Sequence, residues 1–593
     1  MMSWLRCLLL TALSLCCSHG LAQGAPPPRS LPPLLVYTDI ASGPNYGGEN
    51  NKGIYLSLFG KNFGSARGLG STTKVYIGAA EVDNYRYLGP AKGRQDIQQI
   101  TVQVGSLGKP ASAIALPIKV VVDGRPSNTN LAFTVNPGTI YFVSPVGSDR
   151  SGNGSFASPY RTVQTADVNN NGSPGCPAAQ GRQSVEAVGV WGLVQPGDFM
   201  VMRGGTWTDI SKDGFFLRAQ NKSGSAPDGK AGSGPITLMG YPGEKVFIDR
   251  SDLVGDNQGG GGISSADSAR QALGCGSWMT LTNLIVESGL NEGPINTQNA
   301  TSNPAGSHWR VVNNEMTAIS CKINTQCKGG GVSGSGVGNF WVGNHVHDVY
   351  DKPDCCTNFE NHGFYIEGIG SYEVAYNRIE NIAGGNGIQT FSSVGPDYRV
   401  NNASIHHNLI HLVGKHGINI GDGSAAGIFV FNNIVSGADM AALRFNSTSL
   451  IGAKIFNNTF YDADRLGHGY PRAALMNDAA LGPGAVDFRN NIVVVGDGRS
   501  YLGGSVGFSA IAATLSNNLW FNGKGSAAGV HPIIADPRFI SAGADFHLAR
   551  DSPAVNAGSN SVASLVTNDF DIETLRPQGA GFDIGAYESR VAP

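Results

Sequence analysis

At 593 residues the chain is long enough for more than one domain, and 83 glycines with only 14% charged residues are the composition of a turn-rich β protein. Forty-one Lys and Arg against 44 Asp and Glu leave a net charge of −3, without the basic footprint of a nucleic-acid binder. No nucleic-acid partner is therefore expected.

In chain order, MMSWLRCLLLTALSLCCSHGLA has a basic start, an apolar run and small residues at Gly20 and Ala22. The apolar run falls short of the roughly 20 residues of a spanning helix, so residues 1–22 read as a secretory signal rather than a membrane anchor. The mature chain is then expected outside the cytoplasm, with no membrane span. Six cysteines remain after the signal, Cys176, Cys275, Cys321, Cys327, Cys355 and Cys356. An even number in an oxidising compartment predicts disulfides whose partners the sequence leaves open. No CxxC pair has the partners of a zinc site.

Residues 23–32 form a Pro-rich linker, APPPRSLPP. Residues 33–136 come next, with the short alternating strands IYLSLFG, TKVYIGA, QITVQV, IKVVVDG and LAFTVNP. Turn signals between such strands predict a small antiparallel sandwich. SGPNYGG followed by LFGKNFGS, with LAFTVNP as a last strand, resembles an immunoglobulin-like IPT/TIG domain. That resemblance implies a fold and almost no chemistry.

From about residue 277 to 520 one pattern recurs: an Asn between apolar residues, then a Gly-centred apolar strand. The copies read TLTNLIVES, RVVNNEMTA, FWVGNHVHD, VAYNRIENI, SIHHNLIHL, FVFNNIVSG, KIFNNTFYD, DFRNNIVVV and LSNNLWFNG. Their asparagines, Asn283, Asn314, Asn344, Asn377, Asn408, Asn433, Asn458, Asn491 and Asn518, lie 25 to 33 residues apart. That period, rich in β-branched residues and poor in helical pattern, predicts stacked β-coils with an Asn at one corner, tolerant of left-handed geometry and able to bond neighbouring backbone.

The segment TIYFVSPVGSDRSGNGSFASPYRTVQTA, with a helical turn expected over 160–166, precedes VQPGDFMVMRGGTW and GPITLMGYPGEKVFID. Together with the closing ADPRFISAGADFHLARDSPAVNAGS and RPQGAGFDIGAYE, these resemble the pectate-lyase-like right-handed parallel β-helix superfamily. The resemblance covers residues 138–588 and places the solenoid at 138–593. It implies carbohydrate chemistry of several kinds, because lyases, hydrolases, epimerases and binding proteins share the fold.

Alternation along the coil strands sends Phe364, Ile366, Ile388, Ile418, Ile420, Leu443 and Phe445 inward. Tyr365, Glu367, Gln389, Asn419, Arg444 and Asn446 should then face out, with Tyr365, Gln389, Asn419 and Arg444 in one exposed row. His362, Asn386 and His416 precede the row at the corner, and Lys415 adjoins the last. Seven of the twelve histidines, His345, His347, His362, His406, His407, His411 and His416, fall in this region. An acidic insertion, HVHDVYDKPDCCTNFENHG, offers Asp348, Asp351, Asp354 and Glu360 as oxygen ligands of the kind calcium prefers.

Cleaving a uronate polymer by β-elimination needs a cation or amides on the carboxylate, a base and often a Tyr acid. The row supplies Arg444, Asn419, Gln389 and Asn446 for the first, Lys415 or His416 for the second, and Tyr365 for the third, with His362 and Glu367 beside them. Hydrolysis would need paired carboxyls, for which Glu367 is one candidate and Asp422, or an acid of the 348–360 loop, the other. Epimerisation starts with the same proton abstraction, and KHGI-type strands resemble mannuronan epimerase coils. No aspartate cluster followed by a lysine, as in calcium-dependent pectate lyases, is present. An acidic polysaccharide is the expected partner, for a lyase foremost, with hydrolase, epimerase or glycan-binding adhesin as alternatives.

Overall fold

The structure is a computed structural model and describes residues 31–590, apart from 66–71, 83, 106–114, 166–183, 209–215, 220–221, 229, 231, 251–261, 266–275, 289–292, 298–305, 320–329, 351–360, 369, 393–398, 466–471 and 526–528. The signal segment, most of the linker and all six mature cysteines lie outside the described residues.

Each coil contributes three strands. In one coil these are Gly370–Ala375, Arg378–Ile382 and Asn386–Phe391. Each strand pairs in parallel with its counterparts in the coils before and after it. The result is a right-handed parallel β-helix of three long sheets, here A, B and C in the order just given. One apolar core runs its length from Tyr141 to Trp520.

The asparagines form the predicted ladder, one residue away from the predicted geometry. The Asn314 N–H donates to Asn344 Oδ1 at 3.0 Å, and the same bond repeats from Asn344, Asn377, Asn408, Asn433, Asn458 and Asn491, each to the next Asn, at 2.8–3.1 Å. Each Nδ2 also donates to a carbonyl of the preceding coil, as Asn408 does to Val374 at 2.8 Å. The left-handed residue is the one before the ladder Asn: Asn313, Gly343, Tyr376, His407, Asn432, Asn457, Asn490 and Asn517 all have positive φ. Asn283 belongs to this earlier column (φ 59), and Leu284 takes the first ladder place, its N–H bonded to Asn314 Oδ1 at 3.0 Å.

The glycines of the C strands have a packing cause. A Cβ on Gly331, Gly363, Gly387 or Gly417 would stand 2.2–2.6 Å from Val346, Ile379, Ile410 or Val435 of sheet B. Only a bare backbone lets sheets B and C close around that corner.

The helical turn expected over 160–166 is absent from its described part. The Asp149 carboxylate accepts from the N–H groups of Arg161 and Thr162 and from Thr162 Oγ1, and Tyr160 bridges to Val143. Local side-chain bonds thus hold this stretch out of a helix. The short helix Val185–Val188 stands further on and feeds Val185 and Val188 into the core.

The N-terminal strands, from Leu34–Thr38 to Ala132–Val135, make two sheets dominated by antiparallel pairs. This sandwich docks on the outside of sheet A. Tyr37 stacks on Phe59 and on Tyr376 at 4.5 and 5.4 Å. Arg310 donates to the carbonyls of Thr38 and Asp39 at 2.7 and 3.1 Å, and Asn313 Nδ2 to Gln99 Oε1 at 3.1 Å. The closing segment 536–590 covers the later coils: Asn432 Nδ2 donates to the Asn568 carbonyl at 2.7 Å and Asn457 Nδ2 to that of Asp583 at 3.0 Å. Phe546, Phe570 and Ala586 pack on Ile434 of sheet B. His547, held between Asp571 and Asp545 and stacked on Tyr587, is lifted to about 9 by those carboxylates, that of Asp571 foremost. Among the described residues, no hydrogen bond or apolar cluster ties the sandwich or the closing segment to the outside of sheet C.

Adjacent positions of one turn separate the two Asn roles. Asn518→Ala removes the acceptor of the Asn491 N–H, one of the two bonds of Asn491 Nδ2 and the side-chain donor to the Phe488 carbonyl, and should lower stability by about 2–4 kcal/mol. Asn517→Gly, at φ 51, should cost a few tenths of that. Denaturant unfolding of both variants checks the difference.

Candidate functional site

Among the described residues sheet C is the long face that neither the sandwich nor the closing segment covers, and the predicted row lies on it in register. Tyr365 pairs with Gln389, Gln389 with Asn419, and Asn419 with Arg444. Phe364, Ile366, Ile388, Ile418, Ile420, Leu443 and Phe445 fill the core beneath, as the alternation requires.

The row is less exposed than expected. Gln389 and Asn419 are 3% and 1% exposed, because the amides close over one another. Asn419 Nδ2 donates to Gln389 Oε1 at 2.7 Å, Asn386 Nδ2 donates to the same oxygen at 2.5 Å, and Gln389 Nε2 donates to Asp422 Oδ2 at 2.8 Å. Asn446 Nδ2 also donates to Asp422. Asp422 reaches this position through a bulge: the pairing register shifts around it, and its φ is 57. Tyr365, Glu367, Arg444 and Asn446 are half-buried at the two ends of the network.

Tyr365 lies between His362 and Phe391, ring centroids 5.3 and 5.6 Å away. With Phe391 it makes an aromatic strip on the face. Trp309 and Trp341 are wholly buried in the core and add nothing to this strip.

The corner residues serve the backbone. His362 Nδ1 accepts the Asn386 N–H at 3.2 Å, Asn386 Oδ1 accepts the His416 N–H at 2.9 Å, and His416 Nδ1 accepts the Ala441 N–H at 3.2 Å. These three side chains form a second, shorter ladder. Each imidazole, accepting at Nδ1, carries its proton at Nε2. Burial, with Lys415 adding its charge, pushes His362 down to about 3. For His416 burial again leads, with Arg444, Lys415 and Arg472 pushing down and Asp478 opposing, also to about 3. His416 is therefore a neutral ring with its Nδ1 lone pair engaged by the backbone.

The charges that act on that ring belong to Arg444, Asp478, Lys415 and Arg472. Arg444 Nε donates to Asp478 Oδ2 at 2.7 Å, while Ser505 donates its N–H and Oγ–H to Asp478 Oδ1 at 2.7 and 3.0 Å. Burial works to raise Asp478, but the Ser505 and Arg444 bonds outweigh it and hold the carboxyl below its ordinary range. Sequence reasoning missed Arg472 and Asp478. They sit in a coil whose C strand, Leu475–Asn477, lacks the Gly-centred signature of the coils before it.

The other predicted groups do not converge here. His345, His347 and His411 belong to the outside of sheet B, and His406 and His407 face Tyr376, Phe431 and the closing segment on sheet A. Asp348 is also on sheet B, bonded to His347 Nδ1 at 2.8 Å and Asn381 Nδ2 at 3.2 Å. Asp351, Asp354 and Glu360 lie outside the described residues. Among the described residues, no group of three or more His, Cys, Asp or Glu is arranged to hold a metal ion. No described helix is long and apolar enough to cross a membrane.

No protein-family model matches the chain, and no curated protein matches it. Among solved structures it is similar to the pectate lyase Pel9A at 16% identity, over 77% of this chain and 97% of that one, with a TM-score of 0.44. It is also similar to the Agl-KA catalytic domain at 12% identity, over 82% and 87%, with a TM-score of 0.31. The catalytic unit of a thermostable GH87 alpha-1,3-glucanase from Streptomyces thermodiastaticus strain HF3-3 matches at 13% identity, over 81% and 86%, with a TM-score of 0.24. Function has to be argued from the groups on sheet C themselves.

Both corner histidines should give the nitrogen NMR signature of the Nε2–H tautomer and show no titration between pH 5 and 8. A midpoint near the ordinary 6.5 for either ring would contradict the burial and bonding described.

Proposed function

We propose that this is a secreted protein that binds an acidic polysaccharide along sheet C and cleaves it by β-elimination. The carrying observation is the in-register stacking, on sheet C, of the coil that bears Lys415 and the next coil, whose Arg444 lies over Asn419. The secretory signal and the IPT/TIG-like character of residues 33–136 belong to this reading as expectations from sequence.

In the proposed step the Lys415 amine takes the proton beside the uronate carboxyl. Charge that moves onto the carboxylate is met by Arg444, which Asp478 and Ser505 hold in place. The electron pair then forms the ring double bond and expels the glycosidic oxygen on the next carbon, which leaves with a proton from solvent. Tyr365 stands three coil steps from Arg444, on the order of 14 Å. Its place is therefore under a neighbouring sugar, with Phe391 as stacking partner, rather than as the acid at the same bond. Gln389, Asn419 and Asn446 form the polar floor, and Glu367 borders it. His362 and His416 hold the corner that positions Lys415.

Hydrolysis is the second reading, favoured by Asp422 and Asp478. They stand two coils apart on the same face, about 10 Å at the backbone, near the separation of an inverting pair. Against it, Asp478 is held ionised by Arg444 and Ser505, the opposite of what a general acid needs.

Incubation with a panel of uronate polysaccharides should raise the absorbance of unsaturated uronate. Lys415→Ala should slow the reaction by about 10²–10⁴-fold, and Arg444→Ala by about 10²–10³-fold. New reducing ends without that absorbance would establish hydrolysis, and retention of intact glycan with neither signal would leave a binding protein.

A further inference from the structure

Two coils beyond Lys415, at the same edge of sheet C, stands a third cation that the proposed reaction leaves unused. The Met440 N–H donates to the Lys415 carbonyl at 2.9 Å, and the Ala442 N–H to that of Ala474 at 2.8 Å. Arg444 pairs with Met476 in the following coil. This register puts Arg472 over Met440, which in turn lies over Lys415. Arg472 Nη1 is buried and has no hydrogen-bond partner. A guanidinium nitrogen left so is costly, because its N–H groups are always charged donors. Asp478, the carboxylate that acts on the shared His416 ring, is already committed to Arg444 and Ser505.

We infer that Arg472 binds a second carboxylate of the same polysaccharide, on a sugar further along the chain than the one held at Lys415 and Arg444. Two coil steps separate Lys415 from Arg472, about 10 Å, roughly the length of two pyranose units. The bidentate donor fork of arginine suits a carboxylate, and Arg472 as a whole is only half-buried at this edge. The substrate is then a polymer in which uronic acids recur closely enough for two carboxylates to fall about 10 Å apart along sheet C. Neutral glucans and polymers with isolated acidic branches lack that second group. The inference rests on sheet C being the uronate-binding face.

Titration calorimetry with a uronic-acid dimer, the corresponding tetramer and the fully methyl-esterified tetramer tests it. The wild-type protein should bind the acidic tetramer more tightly than either other probe. Arg472→Gln should weaken tetramer binding about tenfold, the loss of one charged hydrogen bond, and bind the dimer as the wild type does, which also reports an intact fold. Arg472→Lys should recover most of the loss, and Arg472→Met gives the same readout as Arg472→Gln should the latter fail to fold. Equal tetramer affinity in wild type and Arg472→Gln overturns the inference while leaving sheet C as the binding face. Wild-type protein that binds none of the probes overturns the reading of sheet C and the inference with it.

Discussion

The bond between one buried asparagine and the next is the constraint on which the rest of the molecule depends. From Leu284 to Asn518 each coil's backbone N–H is satisfied by the side chain of the coil above, and each side-chain amide returns a bond to a carbonyl below. A buried amide left unpaired costs about 1–3 kcal/mol, so a slip of one coil by one residue would strand donors along the whole corner. Register is fixed there and inherited by the strands on either side. The same corner turns through a left-handed residue, and the side chains in that column, Asn313, Asn432 and Asn457, anchor the sandwich and the closing segment. One turn geometry thus sets the stacking and decides which faces are covered.

Among the described residues the face left over is sheet C, and its chemistry comes from stacking rather than from any local motif. Lys415, Arg444 and Arg472 come from three coils with unrelated neighbours in sequence, and they meet because coils climb about 4.8 Å per step in register. The three cations share the face with the carboxylates of Glu367, Asp422 and Asp478. Polar groups that would otherwise be solvated are tied into one another, from Asn386 through Gln389 and Asn419 to Asp422 and Asn446. Such mutual bonding gives a floor of fixed geometry, which binding and catalysis both require.

The fold is legible in the sequence because a solenoid writes its period into its residues, and the in-register row from Tyr365 to Arg444 is a matter of simple alternation. The surface state of that row is not legible. Alternation says which side a residue faces, and it is silent on whether Gln389 and Asn419 will bury each other's amides. His416 reads as a base in sequence because a histidine beside a lysine is the usual signal. Only the Ala441 N–H on its Nδ1 shows that the ring serves the backbone. Asn283 reads as a ladder residue because its copy has a single Asn, whereas five later copies carry two in a row and hide which one does which work. Arg472 and Asp478 carry no pattern at all, since a one-off charged residue in a repeat looks like solvated surface.

Hydroxyl-radical footprinting with a uronate oligomer tests most directly whether register brings the working groups onto sheet C. Tyr365 and Phe391 should be protected on ligand addition, while His345 and His347 on sheet B and Tyr587 in the closing segment keep their reactivity. Protection confined to sheet B or to the closing segment, with Tyr365 and Phe391 unchanged, would contradict the account.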